Sequence, residues 1–199
     1  IPLICSIGAD VRHVQVPDIL SFWFEETEPK QWFVKNAAFD AEIANRFTAT
    51  YEAAVAGSLD GWAETPEGCA ALVIVLDQFP RNMFRGDARS FATDAKALAL
   101  TKKAIEQGWL DDLPVEHARF LITPMMHSED LRDQEAGIPL FEKYGNASTL
   151  DYAIKHRDVI ARFGRFPHRN EVLTRKSSTE EALFLSSHGV FFGQGPKRL

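Results

Sequence analysis

Apolar residues recurring at every fourth position, each run stopped by glycine or proline, constrain this chain more than any other feature of its sequence. In FDAEIANRFTATYEAAVAG, Phe39, Ile43, Phe47, Tyr51 and Val55 follow at steps of four before Gly57. That spacing puts them on one helix face, and the glycine supplies a left-handed stop. TPEGCAALVIVLDQFP opens on Thr65 as cap with Pro66 in the first turn, and Pro80 is expected to end it. Its run from Leu72 to Leu76 is apolar on all sides, as a central helix should be. Ser90 is expected to cap the next helix, with Ala97, Leu98, Leu100, Ala104 and Ile105 inward and Gly108 closing it. Pro114 opens a short helix that Pro124 stops, and a helix from Ser128 is expected to be interrupted near Gly137 and Pro139 and to finish at Gly145. Ser148 with Asp151, and Ser178 with Glu181, have the spacing of capping boxes.

Seven or eight helices, short links and no convincing strand make the fold all-α, with antiparallel helical hairpins as its unit. A chain of 199 residues, 45% apolar, suffices for one core. Residues 17–199 read as a single helical domain. Residues 1–16 read as an extension, apolar at first but without a charged start and too short to cross a membrane. The 22 Lys and Arg against 28 Asp and Glu give a net charge of −6, which argues against a general nucleic-acid or anionic-membrane binder. Cys5 and Cys69 alone make a disulfide framework unexpected, so a reducing cytoplasm fits. Cys69, Trp23, Trp32, Phe33 and Trp62 are expected in the core. Phosphate loops, nucleophile elbows and clustered-Cys zinc patterns are missing from the sequence, and no cofactor or metal is expected.

QFPRN at 78–82 and RFPHRN at 165–170 repeat one device: a helix, a Phe-Pro break, then Arg and Asn. Two such corners on one end of the molecule would aim Arg81, Asn82, Arg85, Arg165, Arg169 and Asn170 at a common rim. Guanidinium forks suit carboxylate or phosphate, and the asparagines donate and accept. The plainer alternative is that these arginines cap helix ends and lock loops, as Arg81 would four residues after Asp77. Residues 155–176 hold seven Lys or Arg against two acids, a basic face within an acidic chain. MMHSEDL offers His127 as acid/base group with Glu129 as its orienter; otherwise Ser128 is a helix cap with Glu129 and Asp130 as first-turn acids. A metal site completed by His156 or His168 is a further alternative. His156 reads as a hydrogen-bonded core residue. His168, among cations that would keep it neutral, is the other acid/base candidate.

FWF at 22–24, WF at 32–33, LDQFPRNMFRG at 76–86, FATD at 91–94, HSEDL at 127–131, RFGRFPHRN at 162–170 and STEEALFL at 178–185 together resemble the bacterial domain of unknown function 924 family. The resemblance spans residues 17–186 and implies a tetratricopeptide-like helical superhelix and a cytoplasmic bacterial protein, but no reaction. Residues 1–15 depart from the family start, and LTR at 173–175 stands where the family leads one to expect Leu-Gly-Arg, which puts a role for Arg175 in doubt.

Two functions are compatible with these residues. One is a pocket for a small anionic molecule, clamped by the arginines and open to hydrolysis or lyase-type proton transfer by His127 or His168. The other is a tetratricopeptide-like groove that takes an acidic peptide or partner protein without catalysis.

Overall fold

The computed structural model describes residues 14–188. Expectations for Cys5 and for most of the 1–16 extension lie outside these residues. Among the described residues the regular structure is all helical and holds no strand. Helix α1 (Val16–Ser21) runs into a widened π turn at Phe22–Glu26, which buries Phe22 and Trp23. Asn36 caps α2 (Ala37–Val55), its side-chain oxygen accepting from the amides of Ala38 and Phe39 at 2.9 and 3.2 Å. Phe39, Ile43, Phe47 and Tyr51 are buried as expected, but Val55 is 48% exposed and Ala54 takes its place inside. Steps of four overshoot the helical repeat by about 40° each, so the fifth residue has rotated off the face.

Thr65 caps α3 (Pro66–Val73) by accepting from the Gly68 amide, and every residue from Gly68 to Val73 is buried. The expected stop at Pro80 does not occur. A π turn over Ile74–Gln78 leads into α4 (Phe79–Met83), and the rod continues through the proline. Proline normally breaks a helix because its ring meets the carbonyl four residues back and its nitrogen cannot bond it. Here the turn is widened to a five-residue repeat, with the Phe79 amide donating to Ile74 O. The Leu76 carbonyl that Pro80 leaves orphaned accepts from the Thr93 hydroxyl at 2.5 Å. The inserted residue also turns Asp77 and Gln78 inward, so a carboxylate enters the core.

Three expected caps are replaced. Thr93, not Ser90, precedes α5 (Asp94–Glu106); Ser90 sits in a short 3-10 turn and donates to Phe84 O. Helix α6 (Val115–Leu121) ends before Pro124 as expected, and the proline lies in the first turn of another short helix, α7 (Thr123–His127). Asp130, not Ser128, caps α8 (Leu131–Tyr144), accepting from the Arg132 amide. Helix α8 is unbroken: Pro139 lies on its exposed face, where water can take the freed carbonyl, and Gly137 lets α7 approach until a Cβ there would meet Met125 Cβ at 3.0 Å. Asn146, not Ser148, caps α9 (Ala147–Phe163), and Gly164 closes it at φ 67°. The capping box at the start of α10 (Thr179–His188) is present in both directions, Ser178 with Glu181.

Helix α3 packs on α1, α5 and α6, α2 packs on α4, and α8 with α9 forms a hairpin that α7 joins. One apolar cluster gathers the rings of Phe22, Trp23, Phe39, Phe47 and Phe79; a second holds Cys69, Leu121, Met125 and Phe141. Burial pushes the Cys69 thiol up to about 11, so it is an inert core residue. Phe33 corrects the expected core, being 70% exposed.

Thr174, at the position where a glycine was expected, has φ 53°. The left-handed turn is thus kept by a β-branched residue that resists it. Thr174→Gly is expected to stabilise the protein by about 1 kcal/mol and to raise the melting temperature by roughly 2–4 °C. Calorimetry checks this; a drop in melting temperature would show that no strain is held there.

Candidate functional site

Asp77 is the centre of the site, and it was foreseen only as a partner for Arg81. It is 0% exposed, delivered by the π turn between α3 and α4. Its carboxylate takes His127 Nδ1 at 2.8 and 3.0 Å, Gln78 Nε2 at 2.6 Å and Arg81 Nη1 at 3.2 Å. Burial alone would raise its pKa, but Arg81 and His127 beside it outweigh that and hold it below the usual carboxylate range. The His127 pKa is lowered as well, first by burial and then by Arg81, against the pull of Asp77. The pair therefore rests as carboxylate and neutral imidazole, with Nδ1–H donating and Nε2 carrying the lone pair.

The two Phe-Pro corners do meet, and Asp94 at the start of α5 is what joins them. Arg81 grips it bidentately at 2.9 and 3.0 Å, and Arg169 Nη1 reaches the same carboxylate at 3.1 Å. Arg169 also donates to His127 O at 3.0 Å, its guanidinium lying 4.4 Å from the Phe91 ring centroid and 4.6 Å from that of Phe166. Burial brings the Arg169 guanidinium down to about 10, still a cation at neutral pH. Asn82 and Arg85 turn together to Asp40 of α2, all three contacts at 2.8 Å.

The remaining predicted residues hold the C-terminal segment instead. Glu129 does not orient His127. It accepts from the Phe166 amide at 2.7 Å and takes both terminal nitrogens of Arg175. Arg175, doubtful from sequence, is thus a structural clasp. Arg165 pairs with Glu181 at 2.6 and 2.8 Å, and Asn170 donates to Ser177 Oγ at 3.1 Å. His168 packs against Phe166 with ring centroids 5.5 Å apart, and burial, then Arg169 and Arg81, lower it to about 3. The expected neutrality is right, though enclosure contributes more than the cations. His156 is the hydrogen-bonded core histidine expected, its Nδ1 2.7 Å from Tyr152 O; its pKa too is lowered, mainly by burial.

A cavity of about 510 Å³ opens beside the dyad. Arg81, Asn82, Arg85 and His127 border it, as do Gln78 and His156. A smaller hollow of about 360 Å³ lies on the other side of His127, bordered by Asp94, Glu129 and Arg169. Arg165, His168 and Asn170 border neither. Sequence reading missed Asp40, Asp77 as a site residue, Asp94 and Arg119. An acid inside the apolar run VIVLD was the one available sign, since a carboxylate there demands partners. Arg119 of α6 also lines the larger cavity, on a short helix that gave no such sign.

A neutral imidazole anchored at Nδ1 by a buried carboxylate can accept a proton at Nε2, and the carboxylate stabilises the imidazolium so formed. Among the described residues no hydroxyl or thiol is hydrogen-bonded to His127, so the geometry serves proton transfer to a ligand or water. No group of three or more potential metal ligands occurs among those residues, and no helix there is long and apolar enough to cross a membrane.

The fold and cluster define a class: an all-α protein whose buried Asp, Arg and His residues separate two hollows. The chain belongs to the bacterial proteins of unknown function DUF924, whose family model matches residues 19–189. It is similar to a solved structure, that of the protein of unknown function ATU0120 from Agrobacterium tumefaciens. The two share 40% identity and a TM-score of 0.81, over 85% of this chain and 96% of that one. Among curated proteins no relative matches.

Proposed function

We propose that the chain binds a small organic anion in the larger cavity and moves a proton on it through His127. The observation that carries this is the 2.8 Å bond from His127, which borders the cavity, to a fully buried Asp77 behind it. Fixing a tautomer with a carboxylate removed from solvent costs desolvation that packing alone does not require, and it leaves one ring nitrogen as a base. Arg81 and Arg85 add positive potential along the wall, although each is already matched by an acid. That matching weighs against the peptide-groove alternative, which asks the same arginines to meet an acidic partner.

The test is a thermal-shift screen of anionic metabolites followed by mass spectrometry of each stabilising compound after incubation. Wild type should convert at least one hit, and His127→Gln should slow that conversion by roughly 100-fold or more while still binding it. A screen without hits, or equal conversion by the variant, would remove the proposal.

A further inference from the structure

We infer that the ligand is an organic monocarboxylate with an aromatic or branched apolar body, and that Arg119 holds its charge. This rests on the cavity reading above and adds what the cavity selects. Of the cations bordering it, Arg81 is matched by Asp77 and Asp94, and Arg85 by Asp40. Arg119 differs. Among the described residues its guanidinium meets only a carbonyl, Nε to Tyr144 O at 3.4 Å, and no carboxylate lies within ion-pair distance. Glu116, one turn earlier on α6, also borders the mouth, but it is exposed, where water and salt screen its charge, and it does not pair with Arg119. The half-buried site thus carries one guanidinium fork without an acid, which fits one carboxylate in two parallel hydrogen bonds.

Part of the remaining wall is apolar, on the side of Trp32, Phe33, Val34 and Phe120. Trp32 and Phe120 pack edge to face, 4.8 Å between centroids, and both line the cavity. At its mouth Phe33 is 70% and Val34 59% exposed. Large apolar side chains left open beside a cavity of this size are surface that a ligand body would cover, and the volume falls within the range of small-molecule sites. A compact anion with no body, such as acetate, would leave them bare.

Ligand-observed NMR titrations of the whole chain with phenylacetate, phenylacetamide, acetate and phenyl phosphate test this. Phenylacetate should bind roughly tenfold or more tightly than the neutral amide or acetate. Arg119→Gln should reduce phenylacetate to the amide's level, with Arg119→Lys in between. If Arg119→Gln melts well below wild type, the Lys variant carries the comparison. Phenylacetate binding unchanged in both variants, or equal binding of acid and amide by wild type, would overturn the inference and leave the His127 proposal standing. Phenyl phosphate, close to a dianion at neutral pH, binding tenfold more tightly would overturn the single-charge assignment. Absence of binding by all four compounds also overturns it, whereas the His127 proposal falls with its own metabolite screen and conversion assay.

Discussion

Replacing Asp94 with asparagine is expected to destabilise the protein by about 3–5 kcal/mol, the largest loss from any single side chain of the cluster. One carboxylate serves two guanidiniums, Arg81 and Arg169, whose side chains are nearly enclosed. Asp94 itself is 18% exposed, so water cannot replace it at both partners. Asparagine can accept a hydrogen bond but carries no charge, and Arg81 would be left with Asp77 while Arg169 would keep only the more distant charges of Glu129 and Asp77. The loss of an acid from the first turn of α5 adds a few tenths of a kcal/mol. Arg165→Ala, which breaks a pair exposed on one side, should cost only about 1 kcal/mol. Urea unfolding measures the difference: the midpoint should shift strongly at unchanged slope, with a melting temperature lower by the order of 10 °C. A cost below 1 kcal/mol for Asp94→Asn would mean that Arg81 and Arg169 can be satisfied without it, and the two corners would not be joined as described.

What could be read in the sequence was whatever is fixed by near neighbours. Gly57 after α2, Thr65 before Pro66, and the Ser178–Glu181 box each depend on bonds within one turn, and each is present. Pro80 was misread because its tolerance depends on Thr93, thirteen residues further on, which satisfies the carbonyl the ring displaces. The same distinction divides the site. Arg81, Asn82, Arg85 and His127 advertised themselves by type and by a repeated Phe-Pro setting. Their acids did not, since carboxylates are common and only the tertiary fold chooses among them. Glu129, two residues from His127, turns to Arg175, while Asp77, fifty residues away, takes the imidazole. Spacing cannot foresee that exchange, because Ser128 and Glu129 lie in the link before α8, where a side chain's direction is set by what packs on it. Arg119 illustrates the opposite failure. Nothing distinguishes it from a surface arginine until the fold sets it in one cavity with Trp32 and the first turn of α9.

Acid should unfold this protein early, beginning below pH 6.5 rather than in the carboxylate range. His127, His156 and His168 all have pKa values lowered by burial, so all three are neutral in the fold near neutrality. In the unfolded chain each titrates near pH 6.5. Between that value and the folded one the unfolded state binds more protons. Stability therefore stands in full above pH 6.5 and declines as pH falls, for His168 down to about 3. His168, neutral in the fold across this range, contributes roughly 1.4 kcal/mol per unit near pH 5, and His156 and His127 steepen the decline. Asp77 adds a second, lower phase: its depressed pKa gives stability that is present above the ordinary carboxylate value and disappears as pH falls beneath it. Arg81 and Arg169 cannot relieve either phase: Arg81 repels an imidazolium at His127, Arg169 one at His156, and both one at His168. Urea titrations at pH 7.5, 6.5, 5.5 and 5.0 should show the decline, and His168→Asn should lower its slope by about one proton, roughly 1.4 kcal/mol per unit. Stability that stays level from pH 7.5 to 5.0 would mean that the imidazoles are already protonated or freely solvated in the fold. The tautomer on which proton transfer at His127 depends would then be lost along with the acid sensitivity.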